Sequence, residues 1–478
     1  MTALRWTHRR IFWTLLALAA LLRTAAALPL AFHHADELWQ YTEPAYHIAV
    51  GPWVIAWEMR DGIRTWLIPI FLAGPMALGH LLGAHLLFPK LALTTLSLTI
   101  VGSAAALGFR LSRLHGIFAG LVAASWFELV FFGPRALSEP VALALLMGAI
   151  GCLLTGVRAD GRVFSAGLLL GLAFAARFQF SPAILTLALW EGRTRWRAVW
   201  VPLALGGLVG LAIDGAIDLA MGQVPLRWVT ENFRLNLIQH RSDGYGVSPG
   251  GWYLARIMQI WSWATIPLLL LAWIGARRYP VLLAIALVHL AAHSIIPHKE
   301  YRFILPTTAL IAILAGIGTA DALRRLPAAW LQRGAIGAGL AWVATSTMLA
   351  VHLPYRGYWD ANTDLPRAVQ AAGRVPGVCG FALYRQDHAL AAAYALYDRP
   401  SPIYAVRGPH AARDAQRFAG AYDVVMADVA QRGELPTSYR EIGCYPDASR
   451  CLFVRPGPCF GPRPPDLEIN AVAADARE

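Results

Sequence analysis

The feature that most constrains this chain is a series of apolar runs, each close to twenty residues long, separated by short polar stretches. A helix needs about 20 consecutive apolar residues to cross a bilayer. Only 15% of the 478 residues are Asp, Glu, Lys or Arg, whereas a soluble domain carries about 25%. Backbone groups in lipid must bond to each other, which favours helices. The sequence therefore predicts an all-α polytopic membrane protein with about eleven transmembrane helices. The predicted spans are 11–32, 67–88, 91–109, 116–133, 138–157, 163–190 (interrupted near Pro182), 198–220, 254–275, 279–297, 303–320 and 329–352.

The orientation of these helices is predicted from the positions of the basic residues. The net charge of +12 arises mostly from arginines in short loops, which indicates helix orientation rather than nucleic-acid binding. Basic residues in segment 5–10 hold the N-terminus in the cytoplasm, and the clusters 192–197, 276–278 and 323–325 fall on the same side. An odd number of crossings leaves the C-terminus outside. The N-terminal segment also has features of a signal peptide, and we interpret it as an uncleaved first span.

Four arginines do not fit this scheme. Arg110 with Arg113, and Arg158 with Arg162, fall on the outer side, where basic residues are disfavoured. Either they face lipid headgroups or a phosphate, or one of the spans between 67 and 190 is misplaced.

Three other charged residues lie beside or within predicted spans. Arg135 and Glu139 fall on the cytoplasmic side of the scheme, where we expect a structural pair. Arg177 lies inside a span and must find a partner there, but the sequence does not identify it.

The chain divides into three parts. Residues 1–352 form the transmembrane domain, with external loops at 33–66 and 221–253. In residues 353–462 short apolar runs alternate with a helical pattern, which predicts a small α/β domain outside the membrane. The Pro-rich, then polar tail 463–478 is predicted to be disordered.

Four of the five cysteines lie in the tail domain. An even number there suits disulfides if this domain faces an oxidising compartment, although the sequence does not give the pairing. A zinc site is less favoured because no C-x-x-C spacing occurs. The positions are Cys379, Cys444, Cys451 and Cys459, with Cys152 in an apolar span.

Three external segments concentrate polar residues: 33–37, 227–253 and 298–302. In the last, "HKEYR" occupies a short turn between two apolar helices, and ionisable residues at such a boundary are functional candidates. Arg302 could offer a phosphate a two-pronged donor and Lys299 a point charge. The alternative is that both side chains extend to lipid headgroups, but their outer position argues against it.

These segments resemble motifs of the glycosyltransferase family 22 α-mannosyltransferases, the Alg9-like and GPI-anchor enzymes that use a polyprenyl-phosphate mannose. "HKEYRFILP" resembles their His-Lys-Glu-x-Arg-Phe segment. "HHADELWQYTEPAYHI" resembles their His-Pro-Asp-Glu opening, with Ala35 where proline is usual. "DGIRTWLIP" and "TENFRLNL" followed by "YGVSPGGWY" are similar to two further landmarks. The resemblance covers about residues 30–306, and the tail domain resembles no family.

The resemblance implies a GT-C fold and a set of roles. Asp36 would be the catalytic base, with Glu37 as its helper or alternative. His298, Lys299 and Arg302 would hold the donor phosphate. The alternative without a catalytic role is that Asp36 and Glu37 only cap the following helix.

Further residues become candidates for substrate binding, and the resemblance implies no cofactor. The side chains in 33–37 would suit a divalent metal by type, but adjacent residues rarely converge on one ion. The candidate substrate-binding residues are His34, Glu300, Asn232, Arg234 and Tyr245.

We therefore expect an integral membrane glycosyltransferase that moves a hexose, most simply mannose, from a polyprenyl-phosphate donor to a glycan or glycolipid acceptor, with inversion. The acids of 33–37 and the turn 298–302 should meet in one external pocket. A bacterial inner membrane is expected, with the N-terminus cytoplasmic and the active site and C-terminus periplasmic. The alternative is a transporter or flippase of lipid-linked or anionic substrates, although no repeated halves support it.

Overall fold

The chain folds into two compact units. The structure is a computed structural model that describes residues 2–156, 160–193, 196–360, 363–386, 391–445 and 450–475. The helical unit comprises Met1–Leu28, Thr65–Ile68 and Lys90–Gly357. The sheet unit comprises Pro29–Arg64, Pro69–Pro89 and Tyr358–Glu478.

Helices make up most of the described chain. The α-helices are α1 (Thr2–Ala27), α2 (Glu43–Ala49), α3 (Trp57–Arg60), α4 (Leu67–Leu81), α5 (Leu87–Leu111), α6 (Arg113–Ser125), α7 (Phe127–Phe132), α8 (Ser138–Leu154), α9 (Asp160–Ala176), α10 (Ser181–Gly192), α11 (Trp196–Ala220), α12 (Arg227–Asn232), α13 (Trp252–Trp261), α14 (Thr265–Ala276), α15 (Pro280–Ile295), α16 (Leu305–Leu323), α17 (Ala328–Val351), α18 (Leu353–Asp360), α19 (Asp364–Gly373), α20 (Tyr394–Tyr397), α21 (Ala411–Arg417) and α22 (Ile469–Asp475). Short 3₁₀ or π turns occupy Glu37–Thr42, Phe178–Phe180, Phe233–Ile238, Arg241–Tyr245, Ser262–Ala264, Tyr301–Ile304, Val429–Glu434 and Pro465–Leu467.

The described helices confirm a polytopic membrane protein. Six segments are long and apolar enough to cross a membrane: His8–Ala27, Leu87–Leu111, Trp196–Ala220, Trp252–Ala276, Tyr301–Leu323 and Ala328–Val351. Shorter apolar helices lie at Leu67–Leu81, Ser138–Leu154 and Pro280–Ile295.

Several predicted spans differ from the structure. The run 116–133 is divided at Trp126 between α6 and α7, and 254–275 contains the 3₁₀ turn Ser262–Ala264. Two further runs differ more. The run 67–88 contains only α4, which ends at Leu81 before a turn at Gly83 with φ +71°, and most of α4 belongs to the sheet unit. The run 163–190 is two helices, because the helical backbone stops at Arg177 (φ −158°, ψ 100°) rather than at Pro182, which begins α10.

Ion pairs define one end of the helical unit. Glu139 at the start of α8 lies 3.5 Å from the Nε of Arg302, just before α16. The Nη1 of Arg177, just after α9, lies 3.2 Å from the same Glu139 oxygen. This group answers the open question of which residue pairs with Arg177.

A second group defines the opposite end. Asp321, near the end of α16, accepts from Arg278 at 2.8 Å and lies 3.1 Å from the Nε2 of His115 at the start of α6. The prediction that Glu139 shares a side with the cluster 276–278 is therefore wrong. The physical reason is the extra crossing assigned to 67–88, which inverted every helix between there and 163.

The sheet unit contains a five-stranded sheet, as predicted for an α/β domain. Its strands are β1 (Phe381–Tyr384), β2 (Ile403–Val406), β3 (Val424–Asp428), β4 (Arg440–Tyr445) and β5 (Arg450–Val454). The order is β2-β1-β3-β5-β4, with β1 parallel to β2 and β3, and β5 antiparallel to β3 and β4. Disulfides join Cys379 to Cys459 and Cys444 to Cys451.

The sheet unit also takes in the segments 29–64 and 69–89, which the sequence assigned to the transmembrane domain. The tail differs as well, because 465–475 is helical rather than disordered. Asn470 there accepts from the backbone N–H of Ile55 at 2.8 Å and donates to the carbonyl of Trp53 at 3.1 Å. Both segments are fixed by contacts between residues far apart in sequence.

Candidate functional site

The turn between α15 and α16 holds a histidine that must carry two ring protons. The Nδ1 of His298 lies 3.0 Å from the carbonyl oxygen of Gly246, and its Nε2 lies 3.3 Å from Glu300. A carbonyl and an ionised carboxylate only accept hydrogen bonds, so both nitrogens donate. The bond to Glu300 accordingly raises the pKa of His298. This setting favours the cationic form of His298.

Arg302 lies beneath this turn and is almost completely buried, at 3% exposure. Its Nε and Nη2 donate to the two oxygens of Glu300 at 2.8 and 3.0 Å. The sequence predicted that the Arg302 guanidinium would donate two hydrogen bonds to a phosphate. Here these two donors are directed at Glu300. Arg302 therefore contributes charge and fixes the Glu300 carboxylate.

Lys299 is also buried, and burial lowers the pKa of its ammonium group. Its Nζ donates to the carbonyl oxygen of Ile296 and lies 5.9 Å from the centre of the Tyr253 ring. Among the described residues, His298, Arg302, Arg177 and Lys299 are four cations against the three carboxylates Glu300, Glu139 and Glu128, the last of which binds Tyr301 of the turn. The region carries an excess of positive charge.

A buried glutamate that was not among the predicted site residues forms a hydrogen bond with the turn. Glu128 accepts hydrogen bonds from the hydroxyl of Tyr301, from Trp261 at 2.9 Å and from Trp126 at 3.2 Å. It is fully buried. Its sequence signal is an acid inside the apolar stretch "SWFELVFF".

The second external loop contributes Tyr245 to this region. The Tyr245 ring centre is 6.2 Å from that of His298, and the backbone N–H of Ser248 donates to the carbonyl of Pro297 at 2.9 Å. The loop therefore runs alongside the turn. Tyr245 itself is exposed, as a side chain that contacts a substrate could be.

The other two candidate substrate-binding residues in that loop, Asn232 and Arg234, have hydrogen-bond partners within the loop itself. Asn232 is buried, and its side-chain oxygen accepts from Asn236 at 2.9 Å. Arg234 is exposed and donates twice to Glu231, at 2.8 and 2.6 Å. Neither contact joins these residues to His298.

In the sheet unit, the two acids of the opening segment have different surroundings. Glu37 is buried, and its carboxylate accepts the backbone N–H of His33, which fixes the start of the π turn 37–42. Asp36 makes no side-chain cap to that turn. One of its oxygens lies 3.1 Å from the Nδ1 of His34, and the side chain is 20% exposed. Asp36 is thus the acid better placed to receive a proton.

A further buried acid stands near Asp36. Glu58 accepts from the side-chain amide of Gln40 at 2.8 Å, and Arg64 donates to the oxygen of the same amide at 2.8 Å. Burial, with the negative charge of Asp36 second, raises the pKa of Glu58 to about 7. Glu58 is therefore about half protonated at neutral pH.

The predicted residues therefore form two groups. The turn residues 298–302 with Tyr245 lie in the helical unit, and His34, Asp36 and Glu37 lie in the sheet unit. That the two groups share one pocket stays a prediction.

Comparison with known proteins gives a family-level match. The model of the Alg9-like mannosyltransferase family matches residues 13–363. GPI mannosyltransferase 3 of Yarrowia lipolytica is 27% identical over 336 residues, which are 67% of this chain and 64% of that protein. Human GPI alpha-1,2-mannosyltransferase 3 is 26% identical over 305 residues, 59% of this chain and 52% of that protein. The chain thus spans less than two thirds of the length of these relatives.

A solved structure shares the fold. ArnT from Cupriavidus metallidurans, bound to undecaprenyl phosphate, superposes with a TM-score of 0.62 at 13% identity, over 94% of this chain and 99% of that one. This likeness confirms the predicted GT-C fold. At such low identity it carries nothing beyond the fold.

Proposed function

Because the chain belongs to the Alg9-like mannosyltransferase family, we propose that it is a glycosyltransferase that moves mannose from a polyprenyl-phosphate carrier to a glycan or glycolipid acceptor. The observation that carries the proposal is the excess of cations around the turn 298–302. Four cationic side chains there face three carboxylates among the described residues, and His298 has an acceptor at each ring nitrogen.

The excess charge suits a phosphate that leaves during the reaction. Fixed cations stabilise the negative charge that develops on a departing phosphate. His298 and Lys299 hold the donor phosphate, and Arg302 acts through Glu300, to which its donors are directed. Glu300 then orients His298 or contacts the sugar.

The acceptor hydroxyl needs a base. In the proposed step its oxygen attacks C1 of the sugar, the bond from C1 to the phosphate oxygen breaks, and the hydroxyl proton passes to Asp36. A carboxylate of ordinary pKa serves as a base when it lies within hydrogen-bond reach. A single displacement inverts C1, so a β-linked donor gives an α-mannoside. Glu37 has a structural task, since its carboxylate binds the His33 backbone.

The carrier and the linkage are proposed by analogy with two proteins. ArnT, which shares the fold, was solved bound to undecaprenyl phosphate, and the human relative is named GPI alpha-1,2-mannosyltransferase 3. We extend the carrier and the α-linkage to this chain by analogy. His34, Tyr245, Asn232 and Arg234 remain candidates for contacts with the sugar or acceptor.

The proposal includes a location. The protein is an integral membrane protein with several apolar helices. The two disulfides of the sheet unit suit an oxidising compartment. This supports the proposal that the unit and the reaction face the outer, periplasmic side of a bacterial inner membrane, with the N-terminus in the cytoplasm.

Purified protein in lipid nanodiscs, given radiolabelled polyprenyl-phosphate mannose and membrane glycolipid extract, tests the proposal. We expect label in a new glycolipid. Asp36→Asn should lower the rate by at least about 100-fold, at the lower end of general-base effects, whereas Glu441→Gln, at an exposed carboxylate of the same unit, should not change it. Movement of intact donor across proteoliposomes without cleavage would instead identify a transporter and end the proposal.

A further inference from the structure

A cluster of two histidines and one aspartate lies in the sheet unit and shares no residue with the groups described above. His80 ends α4, His85 precedes α5, and Asp398 follows α20. One ligand atom from each residue lies within 4.8 Å of the others. The sequence separation between His85 and Asp398 shows that the fold, not local chain geometry, brings them together.

The distances within the cluster are too long for direct hydrogen bonds. The Nδ1 of His80 is 3.6 Å from one Asp398 oxygen, and the Nδ1 of His85 is 3.8 Å from the other. A hydrogen bond at such a distance would be very weak. Two ligands of one tetrahedral zinc ion stand roughly 3.4 Å apart, given bonds of about 2.0–2.2 Å. The 3.6 and 3.8 Å distances, each to a different Asp398 oxygen, are close to this spacing.

The hydrogen bond of His85 provides a second, independent argument. Its Nε2 lies 2.8 Å from the carbonyl oxygen of Ala395, which only accepts, so this nitrogen donates. The ring is thereby oriented with its other nitrogen, Nδ1, towards Asp398. A carbonyl that fixes the outer nitrogen is also the usual second contact of a metal-binding histidine.

The carboxylate is held in a comparable way. The hydroxyl of Tyr46 donates to Asp398 at 2.7 Å. Asp398 has a left-handed backbone with φ +52°, a conformation that aspartate adopts more readily than most residues. His80 is 42% and Asp398 38% exposed, so solvent can reach the cluster.

We propose that His80, His85 and Asp398 bind one divalent transition-metal ion, zinc by ligand chemistry, with water as the fourth ligand. Two imidazoles and a carboxylate are a common zinc set. The ion joins the turn between α4 and α5 to the chain after α20, and its role is structural. This assignment does not depend on the proposed transferase activity.

The test uses the full chain in detergent, stripped with EDTA and titrated with ZnCl₂. We expect one zinc per chain and a rise in the thermal unfolding midpoint on addition of zinc. His80→Gln, at a half-exposed position, and Asp398→Asn should weaken zinc binding by at least about 100-fold. Tyr46→Phe should weaken it by about tenfold, as losses of second contacts do. Cobalt in place of zinc should give the visible spectrum of a tetrahedral site in the parent chain.

His240 provides the matched control, because its Nδ1 lies 3.3 Å from Asp243 in a histidine–aspartate pair of the helical unit. His240→Gln should leave zinc affinity unchanged. Absence of stoichiometric zinc in the reloaded parent chain would overturn the proposal in favour of a plain His–Asp ion pair. Equal zinc affinity in the parent chain and in His80→Gln would also overturn it, since the ion would then lie elsewhere.

Discussion

At His298 the proton count follows from what surrounds each ring nitrogen. Because a carbonyl and a carboxylate flank the ring, the side chain donates twice and carries a charge. Its charge depends on Glu300, which Arg302 in turn holds from two directions. Removal of any one of these three side chains therefore changes the electrostatics of the other two, and we expect their mutational effects to be non-additive.

Glu58 makes the stability of the sheet unit depend on pH. Its pKa is raised to about 7 in the folded chain, from about 4.3 when unfolded, so the folded state binds the extra proton between these values. The stabilisation is fully present below about pH 4.3 and is lost as pH rises through 7. The full shift corresponds to about 4 kcal/mol at most.

Glu58→Gln should accordingly flatten the fall in the thermal unfolding midpoint between pH 5 and pH 8, because the neutral amide has no proton to lose. The exposed Glu441→Gln should leave that pH dependence as it is. If the parent chain and Glu58→Gln lost stability in parallel over this range, Glu58 would not be the titrating group.

Glu128→Gln should destabilise the protein by about 1–3 kcal/mol. The amide keeps one oxygen for Tyr301 and Trp261, but its NH₂ must face the indole N–H of Trp126, which leaves buried donors unpaired. Thermal unfolding in detergent measures the loss. In a double-mutant cycle with Trp126→Phe, the removal of the competing donor should recover part of it, and strict additivity would contradict this account.

At the scale of elements, glycine allows two membrane helices to approach closely. A Cβ on Gly206 of α11 would lie 2.0 Å from the carbonyl oxygen of Phe164 in α9, and one on Gly167 would lie 2.1 Å from that of Leu203. Small residues at such contacts are the usual basis of helix association in membranes. Because the opposing atoms are backbone, they cannot turn aside as a flexible side chain could.

Gly206→Ala should therefore lower the free energy of unfolding by about 1–3 kcal/mol or more, as overpacking does. Gly207→Ala is the matched control, since a Cβ there would meet its nearest atom, the carbonyl oxygen of Gly167, at an ordinary 3.7 Å. Thermal unfolding midpoints of the two variants in the same detergent provide the comparison. Equal midpoints would show that α9 and α11 are not packed through Gly206.

Sequence patterns predicted elements better than they predicted partners. Apolar runs located most helices, and the motif "HKEYR" located the cationic turn, because both depend on residues close in the chain. Hydropathy could not separate α4 from a span, since transfer from water favours burial in protein and in lipid alike. Neither could it find the contact of Glu139 with Arg302 or that of Asn470 with Ile55, because such pairs depend on tertiary folding.

At the scale of the whole molecule, we revise the order of the membrane crossings. If 67–88 is not a span and 163–190 supplies two crossings, the arginines no longer fall on the outer side. The Nη1 of Arg110 lies 3.4 Å from the carbonyl of Gly156, so α5 and α8 end on one side. His115, beside Arg113, contacts Asp321 at the end bearing Arg278. Arg110, Arg113 and Arg162, whose Nη2 donates to Thr155 at 3.0 Å, thus lie at the basic end, which the positive-inside rule assigns to the cytoplasm. Arg158 lies outside the described residues.

This topology predicts where an impermeant maleimide reaches single cysteines. Four of the five cysteines are paired in disulfides, so Cys152→Ala gives a background without a free thiol. Gly161→Cys and Arg277→Cys should react only after the cells are permeabilised, because both exposed positions lie at the basic end. Gly244→Cys, beside Tyr245, should react in intact cells. If both Gly161→Cys and Gly244→Cys reacted in intact cells, the two positions would lie on the same side of the membrane. The revised order of crossings would then be wrong, and 67–88 would be a span after all.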